Sequence, residues 1–175
     1  MRSLNECIIE SLLDDEDEVF DGAKESIIKE FLETNYKIAG SYIIKEVKGR
    51  FIVDVKGGMG VANKNIELLT NGLFDFGVIS GDFICHDCQS LASLTGAPKE
   101  VGGRFSCNWC ASLKSLEGAP KEVGGNFECG YCDLLTSLEG APKKVGGEFC
   151  CNDCGAKFKT MDIKKYTKGT KYIRV

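Results

Sequence analysis

The chain has 175 residues, a net charge of −4 at neutral pH, 43% hydrophobic and 27% charged residues. That suffices for one domain with a single modest core. The charge gives no general affinity for nucleic acid, and no apolar run reaches the 18 residues that suggest a membrane-spanning helix. The stretch Met1–Cys7 lacks the layout of a secretory signal. The expectation is a cytoplasmic protein whose thiols stay reduced.

Charge is unevenly spread. Residues 1–40 hold eleven Asp/Glu against four Lys/Arg, and residues 157–175 hold seven Lys/Arg against one Asp. The basic end is read first as a solvated face.

Residues 1–40 read as helical. Leu4, Ile8, Leu12 and Leu13 share one face at helical spacing, with Cys7 on its apolar side. After the acidic run Asp14–Glu18, Ala23, Ile27, Ile28, Phe31 and Leu32 form a stronger stripe. Asp21 is the expected N-cap, and Tyr36–Gly40 is expected to end the helix.

Residues 41–78 take on β character. Tyr42–Val47 and Phe51–Val55 flank Lys48-Gly49-Arg50, a hairpin turn. Gly57–Gly60 is expected to break the chain. Val61 lies 22 residues before Phe83, so 61–69 reads as a degenerate first coil, the atypical end unit of a stack.

Residues 79–156 are four copies of a 22-residue unit. Each opens with Ile79, Val101, Val123 or Val145. A glycine follows two residues later, then Phe83, Phe105, Phe127 or Phe149. Each copy carries Cys-x-x-Cys: Cys85/Cys88, Cys107/Cys110, Cys129/Cys132 and Cys151/Cys154. The leucine pairs Leu91/Leu94, Leu113/Leu116 and Leu135/Leu138 come next, and Gly-Ala-Pro closes the first three copies. Phe-x-Cys is a short strand with both side chains inward, because strand side chains alternate. Gly-Ala-Pro and Gly-Gly set the corners. In 157–175, Thr160 is the expected N-cap of a short helix, and Lys171–Val175 a closing strand.

The unit resembles a leucine-rich repeat: Phe127, Cys129 and Cys132 match the two inward strand positions and the Asn/Cys position of that pattern, and the other copies match alike. The next leucine is Leu135, one residue late, which marks a divergent subtype. The wording Ser115–Gly125 (Ser-Leu-Glu-Gly-Ala-Pro-Lys-Glu-Val-Gly-Gly), with Leu12–Asp17 and Lys171–Val175, is similar to repeat proteins encoded by tailed phages and gut bacteria. The resemblance implies an intracellular phage-type protein of leucine-rich-repeat-like fold, and no enzymatic activity follows from it. The expected fold is α+β: a helical N-terminal cap (1–40), a β hairpin and degenerate coil (41–78), a short solenoid of four repeats (79–156) and a helix–strand C-terminal cap (157–175).

Cys-x-x-Cys repeated at this step has the spacing of four-cysteine zinc sites, such as Cys85/Cys88/Cys107/Cys110 and Cys129/Cys132/Cys151/Cys154. Buried cysteine also packs as a small hydrophobe, and nothing divides the four copies into two pairs. The favoured reading is a buried thiol ladder without cofactor; zinc and disulfides are the alternatives. Cys150 falls on the outward side.

Nothing in the sequence forms a catalytic constellation. His86 is the sole histidine, and its strand neighbours face the other way. Gly57–Val61 lacks the Lys-Ser/Thr of a phosphate loop. The outward positions that vary between copies are instead candidates for contact with a protein partner: Ile84, His86, Arg104, Ser106, Glu128 and Asn152, with Trp109 and Tyr131 beside them. The expected function is a non-enzymatic protein-interaction module, acting in a bacterial host cytoplasm if phage-encoded, for instance as an antagonist of host defence. The alternatives are an assembly component and a zinc-binding repeat protein.

Overall fold

The computed structural model describes residues 21–61 and 64–175. The first expected helix, Cys7 and the acidic run lie outside the described residues, as does the side chain of Asp21. Helix α1 (Asp21–Asn35) leads into β1 (Tyr36–Val47), which forms an antiparallel hairpin with β2 (Arg50–Val61). Then come β3 (Phe74–Ile79), β4 (Phe83–Ile84), β5 (Glu100–Val101), β6 (Phe105–Ser106), β7 (Glu122–Val123), β8 (Phe127–Glu128), β9 (Lys144–Val145) and β10 (Glu148–Cys150). Helix α2 (Thr160–Tyr166) and β11 (Tyr172–Arg174) complete the chain.

From β2 onward the strands pair in parallel, coil upon coil, as a β-solenoid. Two strand columns run up it. One is β2-β4-β6-β8-β10-β11, in which Phe83, Phe105, Phe127 and Phe149 are in register. The other is β2-β3-β5-β7-β9, extended by a bridge from Lys144 to Lys168. Strand β2 feeds both: Phe51–Val55 pairs with β3, and Met59–Gly60 with β4.

The sequence pattern explains the columns. Every second residue of Phe-x-Cys turns inward, so Phe83/Cys85, Phe105/Cys107 and Phe127/Cys129 are fully buried. Successive rings lie 5.5, 5.3 and 5.0 Å apart, and the first two pairs stack within 10° of parallel. The valine that opens each copy supplies the second column's inward residue, and Val-Gly-Gly turns the corner. There the coils touch backbone to backbone: a Cβ on Gly124 would lie 2.1 Å from the Gly102 carbonyl oxygen, closer than any side chain allows.

The core is continuous with the first helix. Ile28 and Leu32 are fully buried. Phe31 meets Phe74 edge-on at 5.9 Å, and the Tyr36 hydroxyl donates to the Leu69 carbonyl at 2.6 Å.

Several expectations are corrected. The helix ends at Asn35, and Tyr36–Gly40 is strand, because Tyr36 already alternates with exposed Lys37 and caps an aromatic cluster. Gly57–Gly60 does not break the chain; it lets β2 continue through a corner. Gly40 and Gly57 face each other across the hairpin at φ +140° and +125°, and a Cβ on either would meet the opposite backbone at about the same place, 2.1 or 2.0 Å from a carbonyl oxygen. Met59, not Val61, pairs with Phe83, so the first coil is two residues longer than the repeat. In α2 the flanking residue is Lys159 rather than Thr160; its N–H donates to the Asp162 carboxylate at 2.9 Å, which takes over the capping. The second strand column has no counterpart in the expected coil.

Candidate functional site

Within each Cys-x-x-Cys the chain leaves the strand through one left-handed residue. These are Asp87, Trp109, Tyr131 and Asp153, at φ +59°, +63°, +57° and +54°. Aspartate tolerates this conformation. Tryptophan and tyrosine do not favour it, and holding each there costs on the order of 1–2 kcal/mol.

The conformation serves the thiols. It swings the second cysteine inward, where its S–H donates to the carbonyl of the preceding coil's first cysteine: Cys110 to Cys85 at 3.1 Å, Cys132 to Cys107 at 3.3 Å and Cys154 to Cys129 at 3.1 Å. All nine described cysteines are free thiols. Burial pushes Cys85, Cys107 and Cys129 well above the ordinary thiol range, Cys132 to about 11 and Cys154 to about 12. A hydrogen bond between Cys88 and Cys110 lowers the first thiol and raises the second. Cys129 likewise lowers Cys151. A thiol that donates to a carbonyl carries its proton, which a zinc ligand must lose. Among the described residues no group of three or more His, Cys, Asp or Glu is placed to hold a metal ion.

The same turn throws the left-handed side chains outward. Trp109 is 53% exposed and Tyr131 38%. Being one coil apart and in register, their rings stack at 4.1 Å between centroids, 4° from parallel. Backbone bonds fix the row: Asp87 N–H donates to the Asn108 carbonyl, Trp109 N–H to Gly130 and Tyr131 N–H to Asn152, at 2.8, 3.0 and 2.9 Å. The Gln89 amide donates to the Trp109 carbonyl at 3.0 Å and to the Asp87 carboxylate at 2.9 Å.

The expected contact residues fall on four rows, Trp109 and Tyr131 forming one of them. Ile84, Ser106, Glu128 and Cys150 are in one ladder row. Ile84 and Glu128 are half-buried, as is Cys150. Ser106 is corrected: at 3% exposure it is not an outward contact, because its short side chain lies between the longer Ile84 and Glu128. His86 is exposed and Asn152 half-buried, in the row of Asn108 and Gly130. Asn108 spans the gap left by Gly130: its Oδ1 accepts from the Gly130 N–H at 2.7 Å, and its amide donates to Glu128 at 3.2 Å. Arg104 is exposed but drawn aside by Asp82, 3.6 Å away. The residues brought together are thus Trp109 and Tyr131, with His86, Glu128 and Asn152 at the margin; Ile84 and Arg104 stand apart.

Sequence reasoning missed Asp87 and Asp153. Their place at the same slot of the 22-residue step as Trp109 and Tyr131 was the available signal. Comparison with protein-family models, curated proteins and solved structures gives no match. No described helix is long and apolar enough to cross a membrane.

Proposed function

We propose that the protein is a non-enzymatic protein-interaction module whose contact surface centres on the Trp109–Tyr131 stack. The observation that carries this is two large aromatics held exposed, against each other, in backbone conformations that do not favour them. Stacking offsets about 0.5–1.5 kcal/mol, less than the two left-handed conformations cost. Folding alone therefore does not account for the pair, and strain of this kind concentrates where a protein acts. Exposed Trp and Tyr are also the residues that most often anchor a partner.

The repeat wording supports the finer parts of the proposal. The solenoid is leucine-rich-repeat-like in its Phe-x-Cys-x-x-Cys column, α1 with the hairpin closes one end, and α2 with β11 closes the other. The protein is of phage or gut-bacterial type, acts in a bacterial cytoplasm, and engages a host or phage protein.

Replacing both aromatics with asparagine, which suits left-handed backbone, tests the surface. The Trp109→Asn/Tyr131→Asn variant should keep its melting temperature within about 4 °C of wild type. It should lose every protein that the immobilised wild-type chain captures and that a control, Leu68→Ala on an exposed side chain elsewhere, still captures. Capture that survives the asparagine variant overturns the reading.

A further inference from the structure

We propose that the occupant of this surface is an arginine-bearing segment of the protein partner, its guanidinium held between the aromatic stack and the carboxylates at the ends of the row. The inference rests on the interaction reading above and names the chemistry of the partner.

The row runs Asp87, Trp109, Tyr131, Asp153, one residue per coil, with coils about 4.8 Å apart. Because the two rings stack along the ladder, each covers one face of the other. The remaining indole face is turned toward the coil of Asp87, and the remaining phenol face toward the coil of Asp153. Asp133 follows Cys132, two residues after Tyr131, and is exposed, and half-buried Glu128 lies in the ladder row of Ile84 and Cys150. Among the described residues none of these four carboxylates is in an ion pair, whereas Asp82, Glu122 and Glu148 elsewhere on the stack are each matched by Arg or Lys. Two cations flank the row without an ion pair to it: Lys64 donates to the His86 carbonyl at 2.7 Å, and exposed Lys157 lines the same shallow pocket as Asp153.

An aromatic pair between unmatched carboxylates is complementary to a cation that is also flat. Guanidinium stacks on aromatic faces and binds carboxylate through two parallel N–H bonds; an ammonium does neither as well. The negative sign of the surface repels phosphate-bearing ligands.

Trp109 is the sole tryptophan, so its emission reports this surface alone. The probe is a short Gly-Ser peptide carrying arginines, titrated into the full chain at low salt. Comparison peptides carry lysines or glutamates at the same places. The expected result is a saturable change in Trp109 emission with the arginine peptide, weaker with lysine and absent with glutamate. Affinity should fall at least about tenfold, or 1.4 kcal/mol, in Asp87→Asn/Asp153→Asn. Asparagine keeps the left-handed turns, so that variant retains the fold.

No change in emission up to millimolar peptide, or equal affinity in the asparagine variant, overturns the proposal. A captured protein that depends on Trp109 and Tyr131 but is indifferent to Asp87→Asn/Asp153→Asn leaves the interaction surface standing and removes the arginine. Capture indifferent to all four residues removes the surface itself.

Discussion

Cys132 and Cys154 show how one residue can be structural and chemically silent at once. Each thiol donates to a carbonyl of the coil before it, and burial lifts them from an ordinary value of 9.0 to about 11 and about 12. They are protonated at neutral pH and poor nucleophiles. The linkage has a definite sign. Below the unfolded pKa both states hold the proton and the stabilisation is complete. As pH rises from about 9 toward 11 or 12, the unfolded chain releases protons that the folded chain keeps, so stability falls by about 1.4 kcal/mol per pH unit for each such thiol. The urea midpoint of the wild-type protein should therefore drop between pH 8 and pH 10. Cys132→Ala should drop less, by about one proton's worth of slope, and an equal drop in the variant would show that this thiol does not carry the effect.

The β1–β2 hairpin carries the sharpest constraint at the scale of the element. Its two strands run on around a corner of the first coil, and Gly40 opposite Gly57 is where they bend. Gly57→Ala puts a Cβ 2.0 Å from the Ala39 carbonyl oxygen and should cost about 2–4 kcal/mol in urea denaturation. Gly49→Ala, in the hairpin turn at φ +75° with nothing within 4 Å, should cost only about 1 kcal/mol. Similar costs at both positions would mean that the close approach at the corner is not what demands glycine.

These elements also show what a sequence can reveal. The Phe-x-Cys column was legible because a fixed 22-residue step names its own register, and the Lys48-Gly49 turn because it separates two alternating runs. The valine column was not, since strands of two residues such as β5 and β7 have no periodicity to read. Met59 opposite Phe83 was hidden because the first coil departs from the repeat length. Ser106 was misplaced because alternation gives a side chain's direction but not the reach of its neighbours. The site was half visible: Trp109 and Tyr131 stood out by type, while Asp87 and Asp153 are ordinary residues whose meaning comes from alignment with them.

At the scale of the molecule, the stack is a sum of coils that touch only their neighbours, so stability should be close to additive in coils. Removing residues 101–122 joins Glu100 to Val123 and rejoins both columns in register, since Glu100 pairs with Glu122 and Val101 with Val123. The shortened protein should fold cooperatively with β-rich circular dichroism, a lower denaturant midpoint and a smaller m-value, in keeping with the surface lost. Collapse of the fold on this deletion would show that the coils are not independent units. The same protein would carry Tyr131 without Trp109, and with it a weakened contact surface.

The in-register phenylalanines have a consequence at the level of heredity. Units this alike in wording lie side by side in the coding sequence, where a misaligned recombination event adds or deletes a whole unit. Because the ladder closes again at any whole number of coils, such an event yields a lengthened or shortened face rather than a broken chain. The left-handed slot of each new coil, which already holds aspartate, tryptophan or tyrosine, is then a ready position for a change of partner.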